Sequence, residues 1–284
     1  MTSPSIRAES GLQMLSRLSG CTGSSVSDLQ PALFPSGLLN PHDVVEVRSP
    51  EGNLSTRLCS HLLARCVLPM KVGGLEAEAI FIDTEHQLRI QHFASALETT
   101  LRKSGMERKE MQKALKAALN QLLILQCFNS TQLLASIHTL PQLIRSRPNK
   151  VSLVVIDSPA AYYQSDLLFE GNANTAKVSK DYYLATFLSP LLSSEIKQLN
   201  IVLVFTLPVN YKKSFVETNY PNRSFSLFVK PEVKQASEAS SAEDNNTPNC
   251  FQVIMHRGKD YVLQTMFSLT ENQLIWEKES QQDR

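Results

Sequence analysis

The chain has 284 residues, 42% hydrophobic and 19% charged, enough for one large α/β core or two small domains. A net charge of +1 gives no global basic signature, so any nucleic-acid contact must come from a local patch. The five cysteines (Cys21, Cys59, Cys66, Cys127, Cys250) are odd in number, form no C-x-x-C, and read as apolar core residues of a reducing compartment. Met1–Arg7 has no apolar h-region, so no signal peptide is expected. No apolar run reaches membrane-spanning length, and no His/Cys cluster has zinc spacing.

In chain order, Ala8–Leu18 predicts a short amphipathic helix, with Leu12, Leu15 and Leu18 at helical spacing. Residues 20–41 are rich in Ser, Gly and Pro and read as a linker carrying Leu29, Leu33 and Phe34. The core starts with a strand at Asp43–Val47, a loop over Ser49–Thr56 and a helix at Arg57–Val67. A strand at Ala79–Ile82 precedes a helix at Leu88–Arg102 with Ile90, Phe93, Leu97 and Leu101 on one face. A basic helix at Met106–Leu119, a strand at Leu122–Cys127 and a helix at Ser130–Ser146, broken or kinked at Pro141, come next. Val151–Ile156 is a β-branched run, the mark of a parallel strand buried on both faces. A helix at Val178–Gln198 and a strand at Ile201–Thr206 continue the alternation of a doubly wound α/β sheet. Phe225–Val229, Phe251–His256, Tyr261–Phe267 and Gln273–Trp276 predict antiparallel strands at the far edge. Residues 235–249 are poor in apolar residues and read as a disordered insertion.

The strand, loop and helix around residues 43–67 have the setting of a phosphate-binding loop, G-x-x-x-x-G-K-[ST]. Here Ser49 replaces the first Gly, Leu54 the second and Ser55 the Lys; only Thr56 keeps its place. Two downstream strands end in acid, Ile82-Asp83-Thr84-Glu85 and Val155-Ile156-Asp157-Ser158. The degenerate nucleotide position is therefore Gly52, Asn53, Leu54, Ser55, Thr56 and Asp157, with Thr56 and Asp157 as weak Mg²⁺ contacts. A lost charge-assisted hydrogen bond is worth about 1.5–3 kcal/mol, so the missing Lys alone lowers affinity roughly ten- to a hundredfold. The Leu54 side chain is expected to clash where the loop closes on phosphate. Alone, Asp157-Ser158 also suits a plain turn cap.

The order of loop, I-D-T-E, apolar strand with Asp-Ser, and V-L-V-F-T resembles the core of RecA-type recombinases. Arg7-Ala8-Glu9-Ser10-Gly11, Pro50-Glu51-Gly52, Ala64 to Pro69 and Gly73-Gly74-Leu75-Glu76 narrow the resemblance to their accessory paralogue branch. It is detailed from Arg7 to about Asp157 and loose afterwards. It implies a RecA-like P-loop ATPase core: a mostly parallel twisted sheet with helices on both faces and antiparallel C-terminal edge strands. It implies a nuclear subunit of a hetero-oligomer of recombinase paralogues, acting in homologous-recombination repair of double-strand breaks. Such a subunit promotes recombinase loading on single-stranded DNA, and branched DNA is a further candidate. No membrane is involved. The family's N-terminal DNA-binding domain would not fit in the residues before the loop. Glu85 matches the family's water-polarising glutamate and is vestigial here. The family's Asn-Gln sensor of the γ-phosphate reads Leu207-Pro208, and Pro gives no N–H. Little or no ATP hydrolysis is expected, with ATP/Mg weak or absent as a cofactor. A DNA-stimulated ATPase with a degenerate but working site is the alternative, and residues donated by a partner could complete the site.

The resemblance puts DNA loops after two of the strands. The first, residues 164–176, has no Lys or Arg and suits phosphate poorly. The second, residues 210–223, carries Tyr211, Lys212, Lys213 and Arg223, aromatics among cations as single strands require. Arg102, Lys103, Arg108, Lys109, Lys113 and Lys116 form the strongest basic stretch, equally readable as a solvated helix face. Residues 1–41 are expected to be a helix and linker that dock either on a partner or on their own core, and residues 42–284 the RecA-like core.

Overall fold

The computed structural model describes residues 26–35, 37–50, 52–169, 179–192, 198–209, 214–219, 224–231, 249–258, 260–270 and 274–276. The helix expected at Ala8–Leu18 and most of the insertion expected at 235–249 lie outside them.

Strand β1 (Val44–Ser49) leads into α1 (Gly52–Val67). Strand β2 (Glu78–Asp83) is followed by α2 (Ile90–Lys103) and α3 (Arg108–Asn120). Strand β3 (Leu122–Gln126), α4 (Ser130–Ser146) and β4 (Val151–Asp157) come next. Helices α5 (Tyr163–Phe169) and α6 (Lys180–Leu191) precede β5 (Val202–Pro208). Helix α7 (Phe215–Asn219) leads to β6 (Ser224–Pro231), β7 (Asn249–Arg257), β8 (Asp260–Leu269) and β9 (Leu274–Trp276).

Among the described residues these strands form one sheet in the order β3-β2-β4-β5-β1-β6-β7-β8-β9. The pairs from β3 through β6 are parallel and the last three are antiparallel. Strand residues alternate between two cores because successive side chains point to opposite faces. Val45, Val47, Phe81, Val155 and Val204 pack with α1 and α2 on one face. Val44, Ile80, Ile82, Val154, Leu203 and Phe205 pack with α4 and α6 on the other. Two covered faces explain why these strands are apolar without interruption.

Two expectations are corrected and two open alternatives are narrowed. Strand β6 is not purely an antiparallel edge strand: it pairs parallel with β1 and antiparallel with β7, so the sheet changes sense there. The connection from β5 contains α7, and a crossover of that kind is what a parallel partner needs. Leu29, Leu33 and Phe34 are fully buried in this chain's own core, with Phe34 edge-on to Phe225 at 6.0 Å. Ile90, assigned to the apolar face, opens α2 and stays exposed. Helix α4 continues through Pro141 without a break, although Pro141 lacks the amide that would bond the carbonyl one turn back.

Candidate functional site

In an open α/β sheet, ligands bind outside the carboxyl ends of the strands, where the strand order reverses. Here β4 and β5 lie between β1 and β2, so the ends of β1, β2, β4 and β5 converge. Asp157, the last residue of β4, is buried and accepts two hydroxyl hydrogen bonds. Thr56 Oγ1 on α1 donates to its Oδ2 and Thr206 Oγ1 on β5 to its Oδ1, each at 2.5 Å. Asp83 on β2 stands opposite Asp157 in the ladder and accepts the His86 N–H at 2.8 Å. Thr84 Oγ1 accepts the Ser158 N–H at 2.5 Å and lies 2.6 Å from the Asp157 carbonyl, tying the two strand ends together. The Tyr162 hydroxyl donates to the Cys127 carbonyl and fixes the neighbouring turn.

These acids crowd one another. Burial raises the Asp157 carboxyl above its ordinary range, against the pull of Thr206 and Thr56, and Asp83 pushes it further. Burial likewise raises Asp83. Glu85, exposed at the mouth, is raised by partial desolvation and then by the charges of Asp157 and Asp83. Burial, with the Asp157 charge added, holds the Cys59 thiol well above its usual value. A carboxyl raised by folding costs stability once it ionises, so the cost is absent at pH values below the unfolded range. It grows as pH rises toward the folded value. Asp83→Asn keeps the oxygen that accepts from His86 and removes the charge. The variant is expected to melt above wild type at pH 7, with the gap closing by about pH 4. Melting curves at both pH values check this.

The loop differs from its expected form. Strand β1 runs through Ser49 and α1 begins at Gly52, so Asn53, Leu54, Ser55 and Thr56 form the first turn of the helix. Leu54 is 1% exposed and belongs to the α1 core stripe with Leu58 and Leu62. The expected clash with phosphate is thus corrected: the side chain points into the core because it extends the helix's apolar face by one turn. Ser55 and Thr56 are buried and Asn53 is exposed. A magnesium nucleotide needs a metal-ligating hydroxyl with a carboxylate and also a cation for the phosphates. Thr56 against Asp157 fits the first requirement. At the lysine position of the loop stands Ser55, which carries no charge.

Leu207 is buried and Pro208 is exposed at the end of β5, paired with Ser49. Tyr211, Lys212, Lys213 and Arg223 lie outside the described residues. The six cations from Arg102 to Lys116 are all exposed, and Arg102 pairs with Glu98 at 2.6 Å.

Two residues escaped the sequence reading. Thr206 completes the clamp on Asp157, and its signal was the hydroxyl ending an apolar strand. Glu46 lies fully buried in β1 and reaches the far side of the sheet. Its Oε2 accepts from Ser214 Oγ (3.2 Å), Phe215 N (2.9 Å) and Val216 N (3.2 Å), capping α7. Its Oε1 lies 3.1 Å from Arg48 Nε, close enough for an ion pair though not aligned as a hydrogen bond. Arg48 in turn donates to Ser226 Oγ at 3.1 Å. The signal was a lone acid in Val44-Val45-Glu46-Val47.

A profile of the Rad51 family matches residues 33–218, from the segment packed beneath α1 to α7. The chain belongs to the Rad51 family. It is 38% identical over 168 residues to the DNA repair protein XRCC2 of Mus musculus, covering 59% of this chain and 57% of that protein. It is 28% identical over 178 residues to the DNA repair protein RAD51 homolog 3 of Cricetulus griseus, covering 56% and 48%. It is 27% identical over 143 residues to the DNA repair and recombination protein RadA of Metallosphaera sedula, covering 49% and 39%. The chain thus spans about half the length of the curated relatives it matches. Family membership accounts for the α/β architecture, the parallel sheet and the convergence of Thr56 and Asp157. Among the described residues no helix is long and apolar enough to cross a membrane.

Proposed function

We propose that this chain is an accessory recombinase paralogue in homologous-recombination repair of DNA double-strand breaks. It works in the nucleus as an interaction subunit of a paralogue hetero-oligomer. Through that complex it promotes loading of the recombinase on single-stranded DNA, with little or no ATP hydrolysis of its own. The relatives named as DNA repair proteins support the process. The observation that carries the non-catalytic half is the first turn of α1, with Ser55 in the lysine position and Leu54 committed to the core. A missing cation leaves transition-state charge unmet. Half-buried Leu122–Leu125 on β3, the edge strand among the described residues, support a subunit role, since a sheet edge invites a further strand.

The test is co-purification of the tagged chain with candidate paralogues, together with steady-state ATPase assays. The expected result is stoichiometric capture of a paralogue and turnover no higher than that of Glu85→Ala. Recombinase-like turnover abolished by Glu85→Ala would instead establish the second reading, a DNA-stimulated ATPase. That reading is favoured by one observation, the preserved contact of Thr56 with Asp157 beside Glu85.

Ser55→Lys tests the lost charge directly. The new cation would stand next to Thr56, whose hydroxyl already reaches Asp157. Affinity for labelled Mg-ATP is expected to rise about ten- to a hundredfold in equilibrium titrations. No gain would place the defect elsewhere in the loop.

A further inference from the structure

Helix α3 carries a cationic stripe that helix physics disfavours. Its inner side, Met111, Leu115, Ala118 and Leu119, packs on the core. Arg108, Lys109, Lys113 and Lys116 are exposed on the outside. Lys109, Lys113 and Lys116 recur at spacings of four and three, which puts them side by side on one helix face, and like charges so placed weaken a helix. Arg108 and Lys109 also stand in the first turn, where the helix dipole favours acids. No basic residue stands in the last turn, where it favours cations. A solvated helix face relieves such charges with acids three or four residues away. Here Glu110 is the one acid within α3, and it pairs with Lys71 at 3.7 Å. Among the described residues Arg108, Lys109, Lys113 and Lys116 make no ion pair. The chain's net charge is only +1, so the stripe is a local feature and not a share of general basicity. A local rule broken without gain to the free chain marks a surface kept for something else.

We propose that the outer face of α3 docks an acidic helical segment of a partner protein, with Lys109, Lys113 and Lys116 facing carboxylates three and four residues apart. The stripe from Lys109 to Lys116 is about 11 Å long at 1.5 Å per residue, which is roughly two turns of a partner helix. Carboxylates on that helix recur at the same spacing as the lysines, so the charges meet pair by pair. Two features favour a protein over nucleic acid. Helix α3 has no aromatic side chain on which a base could stack, as a single strand requires. Exposed Ala117 and half-buried Ala114 leave low apolar ground between the lysines. Another helix can approach closely there, with the lysine stems lying over it. A phosphate backbone gains nothing from such ground. The face is distinct from residues 210–223, the loop singled out in the sequence. The proposal rests on the subunit reading above only in taking the partner to be a protein.

The test uses the full chain and a fluorescein-labelled, helix-forming peptide of Ala and Glu, its glutamates on one face at spacings of three and four. Anisotropy titrations at low salt are expected to show saturable binding that weakens as NaCl rises. Lys109→Glu with Lys113→Gln and Lys116→Gln is expected to weaken binding at least tenfold. The same variant is expected to melt no lower than wild type, because it puts an acid in the first turn and ends the repulsion along the stripe. Arg145→Glu with Lys150→Glu changes the net charge by the same amount at two exposed residues off α3, and is expected to bind like wild type. A peptide of equal composition with its glutamates spread round the helix is expected to bind at least fivefold more weakly. Unchanged affinity of the α3 variant overturns the proposal, as do equal binding of the spread peptide or no wild-type binding at low salt. Oligothymidylate or duplex DNA displacing the labelled peptide more readily than unlabelled peptide does would assign the face to nucleic acid and overturn it too. Peptide binding by a chain that captures no paralogue would sink the subunit reading and leave this one standing. Paralogue capture without peptide binding would do the reverse.

Discussion

Glu46→Ala is expected to destabilise the protein by about 3–5 kcal/mol, the range for stripping one partner from a buried ion pair. The carboxylate is fully buried, so its removal reaches four groups at once. Arg48 loses its counter-charge, and the Phe215 and Val216 amides lose their acceptor. The Ser214 hydroxyl loses its acceptor as well. Burial raises the Glu46 carboxyl, while Arg48 and the α7 amides pull it back. The net shift is upward, so folding disfavours the ionised form of this group relative to the unfolded chain. Glu46→Gln therefore discriminates between charge and shape. Gln keeps an oxygen for the α7 amides and gives up only the ion pair, so it is expected to lose much less than Ala. Urea titrations of both variants check this, and equal losses would show that charge outweighs capping. Helix α7 lies within the span 210–223 that the sequence singles out for DNA. Glu46→Ala is therefore expected to speed proteolytic cleavage around Ser214 before global unfolding, because the cap ties β1 to that span.

The strands of the parallel half were legible because burial on both faces forces unbroken apolar runs, and each ended within two residues of its expected limit. Thr56 and Asp157, 101 residues apart, were legible as a pair only through the resemblance, which sets the loop after β1 beside the acid that ends β4. The parallel pairing of β6 was hidden, since a strand's own sequence does not state the sense of its neighbour. Residues 26–41 looked like a linker for a similar reason: Leu29, Leu33 and Phe34 are three apolar residues in a polar, Pro-rich stretch. Only the position of α1 and β6 shows that they complete this chain's core. Glu46 was missed because its partners lie 168 to 170 residues away.

Leu54→Gly, which would restore the family's second loop glycine, is expected to damage the protein rather than repair its nucleotide site. Leu54 is 1% exposed and packs in the cluster that holds Val45, Val47, Leu58 and Leu62. Truncating a buried leucine costs about 2–5 kcal/mol through lost transfer energy and the cavity left behind. Glycine in a helix adds roughly 1 kcal/mol relative to alanine. The loss is expected to appear in urea denaturation as a lower midpoint with an unchanged slope. ATP affinity is expected to stay at the wild-type level in the single variant and to rise only where Ser55→Lys is present. The double variant would then combine the affinity of Ser55→Lys with the stability of Leu54→Gly. If Leu54→Gly alone raised affinity without loss of stability, Leu54 would be an obstruction and not a core residue. The two substitutions thus separate two consequences of one degenerate motif. Ser55 removes the charge that phosphate chemistry requires, and Leu54 uses the vacated turn to extend the hydrophobic face of α1.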